Sequence, residues 1–208
     1  GQCEVTETRC QHGTAMNIAS PIPVDPTTGN FRPPSSAQDV PRHARLFLAL
    51  WPAHAENSAL LGYQQQWLWP KGSSPVPAER LHLTLHFIGP VERSRLEAVN
   101  AGLQVAMTPF ELHLTQAAIW PRGLAVLQAS TVPEALKELH CRLGKALQAL
   151  ALPVESRPFR PHVTLARRAA GSIAPSAAPA LLWQIDSYVL VESLPNAAGG
   201  YLIQRSYS

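Results

Sequence analysis

Cysteine is scarce in this chain, with Cys3, Cys10 and Cys141 alone among 208 residues. An odd number, two of them near the start, does not build a disulfide framework and fits a reducing cytoplasm. No apolar run approaches the roughly 20 residues of a membrane-spanning helix. The first residues lack the basic-then-apolar order of a secretory signal. Charge is sparse too, at 15% of residues, with a net balance of +3. That mild basicity suits an anionic partner without demanding one. No Gly-rich phosphate loop of the Walker kind occurs, which argues against nucleotide hydrolysis of the P-loop type.

Apolar residues, by contrast, make up 46% of the chain, enough for one full core or two small lobes sharing a cleft. Residues 1 to about 42 hold little of that pattern. Turn formers crowd there, as in Pro21-Ile22-Pro23 and Arg32-Pro33-Pro34-Ser35-Ser36. A disordered, Pro-rich extension over 1–42 is expected, followed by one domain over 43–208.

Within that domain the apolar run Arg45 to Trp51 reads as a strand, and Pro52 opens a helix toward Trp67 or Trp69. Leu81 to Ile88 alternates with period two and reads as a strand ended by Gly89-Pro90. An amphipathic helix is expected over Val91 to Met107, and strands over Phe110 to Ile119 and Leu124 to Leu127. Leucines spaced three to four apart predict a helix over Pro133 to Leu150, with Cys141 as a packing residue on it. A strand through His162, an Ala/Ser/Pro loop over 169–180, and strands over Leu182 to Val191 and Tyr201 to Tyr207 complete the pattern. The last two strands would join across Gly199-Gly200.

Strand, helix, loop and His-containing strand therefore occur twice. Arg45 to His82 spans 37 positions and Leu124 to His162 spans 38. The two His-containing strands read His82-Leu83-Thr84-Leu85 and His162-Val163-Thr164-Leu165. In each, His and Thr share one face and aliphatic residues fill the other. Chance alone would give roughly 0.4 His-x-Thr in such a chain. A third copy, His113-Leu114-Thr115, lies outside the repeat and is followed by Gln116, so His113 is expected on a solvated sheet surface.

Taken singly, each motif fits a hydrogen-bonded core histidine. Paired in repeated contexts, they fit acid–base chemistry at a phosphate. Imidazole titrates near pH 6.5, so one ring can take a proton while the other gives one. Thr84 and Thr164 would hydrogen-bond the phosphoryl oxygens. Alternation puts His86 on the face of His82, among the candidate substrate contacts. It stands about 13 Å along the strand, too far for one metal ion to bridge the two rings. With no Cys or carboxylate company for a His82–His162 metal, no metal and no cofactor are expected.

The two motifs resemble the paired signatures of the 2H phosphoesterases. Within them the chain is similar to the bacterial RNA 2′,3′-cyclic phosphodiesterase family, historically called 2′-5′ RNA ligase. The likeness runs through Arg45 to Leu50, Leu81 to Gly89, Trp120-Pro121-Arg122-Gly123-Leu124, Arg160 to Arg168 and Gly199-Gly200-Tyr201. It implies an α+β fold of two duplicated lobes with pseudo-twofold symmetry. Two antiparallel sheets would flank a central cleft, with helices outside. It also implies metal-independent hydrolysis of an RNA or nucleoside 2′,3′-cyclic phosphate to a 2′-phosphate, with His162 as general base and His82 as general acid. A monomer acting on RNA ends or small cyclic nucleotides is expected.

Arg160, Arg167 and Arg168 are candidate phosphate contacts. Alternation sets Arg160 and Arg168 on the face of His162 and Arg167 off it. Phe159 is placed either to stack on a base or to pack in the core. Two other readings stand beside hydrolysis: a non-catalytic RNA- or nucleotide-binding module on the same fold, and ATP-independent 2′-5′ joining of RNA ends.

Overall fold

A computed structural model describes residues 41–195 and 200–208. The extension expected over 1–42 falls almost wholly outside them, as does Gly199 of the expected closing turn. The described chain is an antiparallel α+β fold. Nine strands run in the order β7-β4-β5-β6-β3-β1-β8-β9, with β2 on β6. Their ranges are β1 His43–Leu50, β2 Ser74–Pro75, β3 Leu83–Glu92, β4 Phe110–Trp120, β5 Leu124–Ala129, β6 His162–Arg167, β7 Leu181–Ile185, β8 Tyr188–Ser193 and β9 Tyr201–Tyr207. Three helices accompany them: α1 His54–Gln64, α2 Leu96–Gly102 and α3 Glu134–Ala149.

The repeat seen in the sequence becomes two strand pairs, β1 with β3 and β5 with β6, each separated in the chain by a helix. Hydrogen bonding joins these halves into one sheet. The join is the single pair Leu83↔Val163 of the two motif strands. Beyond it β6 turns to β2, through Ser74↔Arg167 and Pro75↔Ala166, so the motif strands part company after meeting once.

Leu46, Leu48 and Leu50 of β1 enter the main core, where Leu60 of α1 and Leu136, Leu139, Leu143 and Leu147 of α3 are also fully buried. The intervening Phe47 and Ala49 form a smaller cluster with Val189 and Val191, flanked by Trp51 and Tyr201. Alternation along one strand thus builds two apolar surfaces, and the smaller one borders the motif residues.

Three boundaries differ from the sequence reading. The helix expected over Val91 to Met107 shrinks to α2, Leu96–Gly102, because Val91 and Glu92 still belong to β3 and residues past Leu103 leave the helix. β3 continues through Gly89 and Pro90, because Pro90 pairs with Arg45 on one side while β6 has already left the other. A missing N–H is harmless on an unpaired edge. At Leu46↔Gly89 and Phe47↔Phe87 the strand carries one extra residue, and Gly89 takes φ +85°, a conformation glycine adopts without strain. The strand expected over Leu182 to Val191 is broken at Asp186-Ser187 into β7, at one edge of the sheet, and β8, next to the strand at the other edge. Cys141, expected as a packing residue, is half-buried on α3.

Candidate active site

The join at Leu83↔Val163 sets the geometry of the site. Continuing an antiparallel register one step either way places His82 across from Thr164 and Thr84 across from His162. Leu83 and Val163 are fully buried behind, while all four motif side chains are half-buried on the opposite face. The sequence reading predicted this quartet, and the fold brings it together.

Each imidazole is held in the same way. The Nδ1–H of His82 donates to the carbonyl of Arg80 at 2.7 Å, and that of His162 donates to the carbonyl of Arg160 at 2.7 Å. A carbonyl can only accept, so Nδ1 carries the proton and Nε2 keeps its lone pair. Both rings are thus fixed in the tautomer a general base requires, and a second proton would make either a general acid.

Aromatic walls and arginines surround the rings with a matching plan. Trp51 stacks on His82, 5.2 Å between centroids and 6° from parallel, and Tyr201 meets it edge-on at 5.4 Å. Arg80 lies over the Tyr201 ring at 4.6 Å. On the other side Trp120 packs against His162 at 4.4 Å, and Arg160 lies over Trp120 at 4.5 Å. Such cation–π contacts aim a guanidinium without neutralising it.

These walls strip water from the imidazoles. Burial, aided by the positive charges of Arg80 and Arg167 and by His162, lowers the pKa of His82 to about 4. Burial lowers that of His162 as well, aided by Arg160 and Arg167. In both cases the hydrogen bond to the backbone carbonyl opposes the shift. Among the described residues no carboxylate acts on either ring, so arginine charge surrounds two neutral imidazoles, an arrangement suited to an anion.

Two expectations about facing are corrected by β-bulges. Between Leu48↔His86 and Ala49↔Thr84, β3 carries an extra residue at Leu85. Between Ala125↔Ala166 and Val126↔Thr164, β6 carries one at Leu165. A bulge resets alternation. His86 therefore turns inward, 3% exposed, away from the face of His82 where a substrate contact was expected. Its Nε2–H donates to the carbonyl of His140 at 2.8 Å. Arg167 is exposed on the far side of its bulge, and its charge reaches both catalytic-candidate rings, whereas alternation had turned it away.

Arg168 takes φ +52° just beyond β6 and is exposed, and it is not among the charges acting on either ring. Phe159 is half-buried and stacks on His140 at 3.9 Å, the packing use of its two expected ones. His113, 60% exposed on β4, lies 2.5 Å from Glu111, as its solvated reading anticipated. The sequence reading passed over Arg80, although Arg80-Leu81-His82 repeats the spacing of Arg160-Pro161-His162 and could have revealed it. Among the described residues no three His, Cys, Asp or Glu side chains gather as a metal cluster.

Comparison with known proteins places this geometry. A family model described as the 2′-5′ RNA ligase superfamily matches residues 64–195. The RNA 2′,3′-cyclic phosphodiesterase of Thermus thermophilus is 30% identical over 163 residues, which cover 72% of this chain and 81% of that protein. The RNA 2′,3′-cyclic phosphodiesterase of Escherichia coli is 30% identical over 132 residues, covering 62% of this chain and 74% of that one. The crystal structure of E. coli LigT complexed with 3′-AMP shares the fold. Its TM-score is 0.71 at 24% identity, over 79% of this chain and 97% of LigT.

Proposed function

The chain belongs to the 2′-5′ RNA ligase superfamily, and on that premise we propose that it hydrolyses 2′,3′-cyclic phosphates at RNA ends or on small nucleotides, leaving a 2′-phosphate. The observation that carries the reading is the pair of imidazoles locked in one tautomer by equivalent backbone carbonyls, across a cleft lined with arginine. The same activity is named for the Thermus and E. coli relatives.

The chemistry needs an in-line attack of water on phosphorus. His162 takes a proton from that water at Nε2 as the new P–O bond forms. His82, protonated in the bound state, gives its proton to the 3′-oxygen as the P–O3′ bond breaks. Nucleophile and leaving group thus exchange one proton each with the protein, and the product carries a 3′-hydroxyl and a 2′-phosphate. Thr84 and Thr164 donate to the two non-bridging oxygens, and Arg80, Arg160 and Arg167 offset their charge.

A ring whose pKa is about 4 holds little proton at neutrality. The bound phosphodiester changes this, because an anion beside the imidazolium favours the charged form. Substrate binding therefore charges the acid. Phe87, next to His86 but on the opposite face of β3, is 61% exposed and 6.3 Å from Phe47. It offers a flat apolar surface at the edge of the cleft for the nucleoside.

Metal independence belongs to the proposal, as does the placing of the activity in residues 43–208. No helix among the described residues is long and apolar enough to cross a membrane. The test is to supply an RNA ending in a 2′,3′-cyclic phosphate and locate phosphorus in the product by 31P NMR. A 2′-monophosphate supports hydrolysis. A lengthened RNA would favour joining, and tight binding with an intact ring would favour the non-catalytic module.

A further inference from the structure

Behind the site, three rings outside the proposed chemistry form a continuous stack. His86 lies on His140, 3.9 Å between centroids and 17° from parallel, and His140 lies on Phe159, 3.9 Å and 16°. Hydrogen bonds also run both ways between the two elements that carry them. The His86 ring of β3 donates to the His140 carbonyl of α3, and the His140 ring donates to the Leu85 carbonyl of β3.

This arrangement spans the join between the halves. His86 and Leu85 follow Thr84 on one motif strand. Phe159 begins the arm Phe159-Arg160-Pro161 that leads into the other. That arm carries the Arg160 carbonyl that fixes the His162 tautomer and the guanidinium held over Trp120. The His82 arm has its own anchor, since Asn57 of α1 donates to the Ala78 carbonyl at 2.7 Å. Phe159 is the corresponding hold on the His162 arm, but its helix is clasped to the opposite half.

We propose that His86, His140 and Phe159 are positioning residues: a clasp that sets His162 relative to His82 and opens when both histidines of the pair are protonated. This rests on the hydrolase reading above for its kinetic part only. Protonation of both would put like charges on stacked rings. It would also give His86 a second N–H at Nδ1, which is buried without a partner among the described residues. Both rings have lowered pKa values, chiefly through burial, that of His140 to about 4. Each ring is the other's nearest titratable neighbour. Among the described residues the other charge acting on the pair is that of Glu155, which favours the charged form of His86 and is itself paired with Arg157.

The experiment combines kinetics on a 2′,3′-cyclic nucleotide with histidine 15N NMR of the free protein, for Phe159→Ala, Phe159→Tyr, His140→Phe and the remote core control Ile185→Ala. Misplacing a catalytic group by about an ångström costs up to about 100-fold. Phe159→Ala should therefore lower kcat at least about tenfold with KM within about threefold. It should also lose the Nδ1–H signature of His162 while keeping that of His82, and Phe159→Tyr should restore both. His140→Phe, which keeps the stack but cannot titrate, should retain the His162 signature at pH values where the wild type loses it. The proposal fails if Phe159→Ala leaves kcat and the His162 signal at wild-type levels, or if Ile185→Ala loses kcat equally. It fails too if His140→Phe follows the wild-type pH course. A wild type inert on the cyclic nucleotide would refute the hydrolase reading, and the free-protein spectra would still decide the clasp.

Discussion

Lowering the pH from 7 to 4.5 should unfold this protein more readily than carboxylate titration alone explains. His82 and His140 each titrate near 4 in the folded chain, because burial penalises the charged ring. In the unfolded chain they return to about 6.5. Between these values the unfolded state binds more protons, so stability rises with pH across the window and is lost as pH falls through it. For a fully effective group the gap is worth about 3 kcal/mol, of which roughly 2 kcal/mol is spent between pH 7 and 4.5. His140, half-buried, should contribute the smaller share. Urea unfolding followed by tryptophan fluorescence would measure this in wild type and in His82→Gln, whose amide can still donate to the Arg80 carbonyl. The variant should lose about 2 kcal/mol less than wild type over the interval, a difference in which the carboxylates cancel. Parallel profiles, within about 0.5 kcal/mol, would refute the desolvation argument for this ring.

Three further outcomes follow from the same geometry. A cyclic substrate with sulfur in place of the 3′-oxygen has a leaving group that needs no proton. It should rescue His82→Ala but not His162→Ala, and the converse would exchange the two roles. Arg167→Met should raise the pKa of both rings, moving the acid limb of kcat/KM to higher pH, and weaken substrate affinity; an unmoved limb would mean the guanidinium does not act on the rings. Glu192 is 2% exposed, ion-paired with Arg93 and bonded by Gln204 at 2.6 Å. Glu192→Ala should cost about 3 kcal/mol in urea unfolding and leave kcat unchanged.

The site was legible in the sequence because its signal is local. Period-two alternation put His82 with Thr84 and His162 with Thr164, and the duplicated strand–helix–strand spacing implied that they meet. The bulges were not legible, because nothing at Leu85 or Leu165 distinguishes an extra residue from a regular one. Their effect is large, since one inserted residue in β3 turns His86 into the core and one in β6 turns Arg167 to where its charge acts on both rings. The single pair Leu83↔Val163 is likewise a tertiary outcome, fixed by β2 taking the rest of the β6 edge. The break at Asp186-Ser187 escaped notice because the strands on either side are equally apolar. Nothing in the sequence set Trp51, Tyr201 and Trp120 against the imidazoles; that placing comes from the fold.

The most direct test of the two-histidine account is single-turnover cleavage of an RNA 2′,3′-cyclic phosphate in excess EDTA, for wild type, His82→Ala and His162→Ala. The account predicts an unimpaired wild-type rate in chelator and a loss of about 100- to 10,000-fold in each variant, with the RNA still bound. Chelator abolishing the wild-type reaction, or either variant retaining its rate, would contradict it.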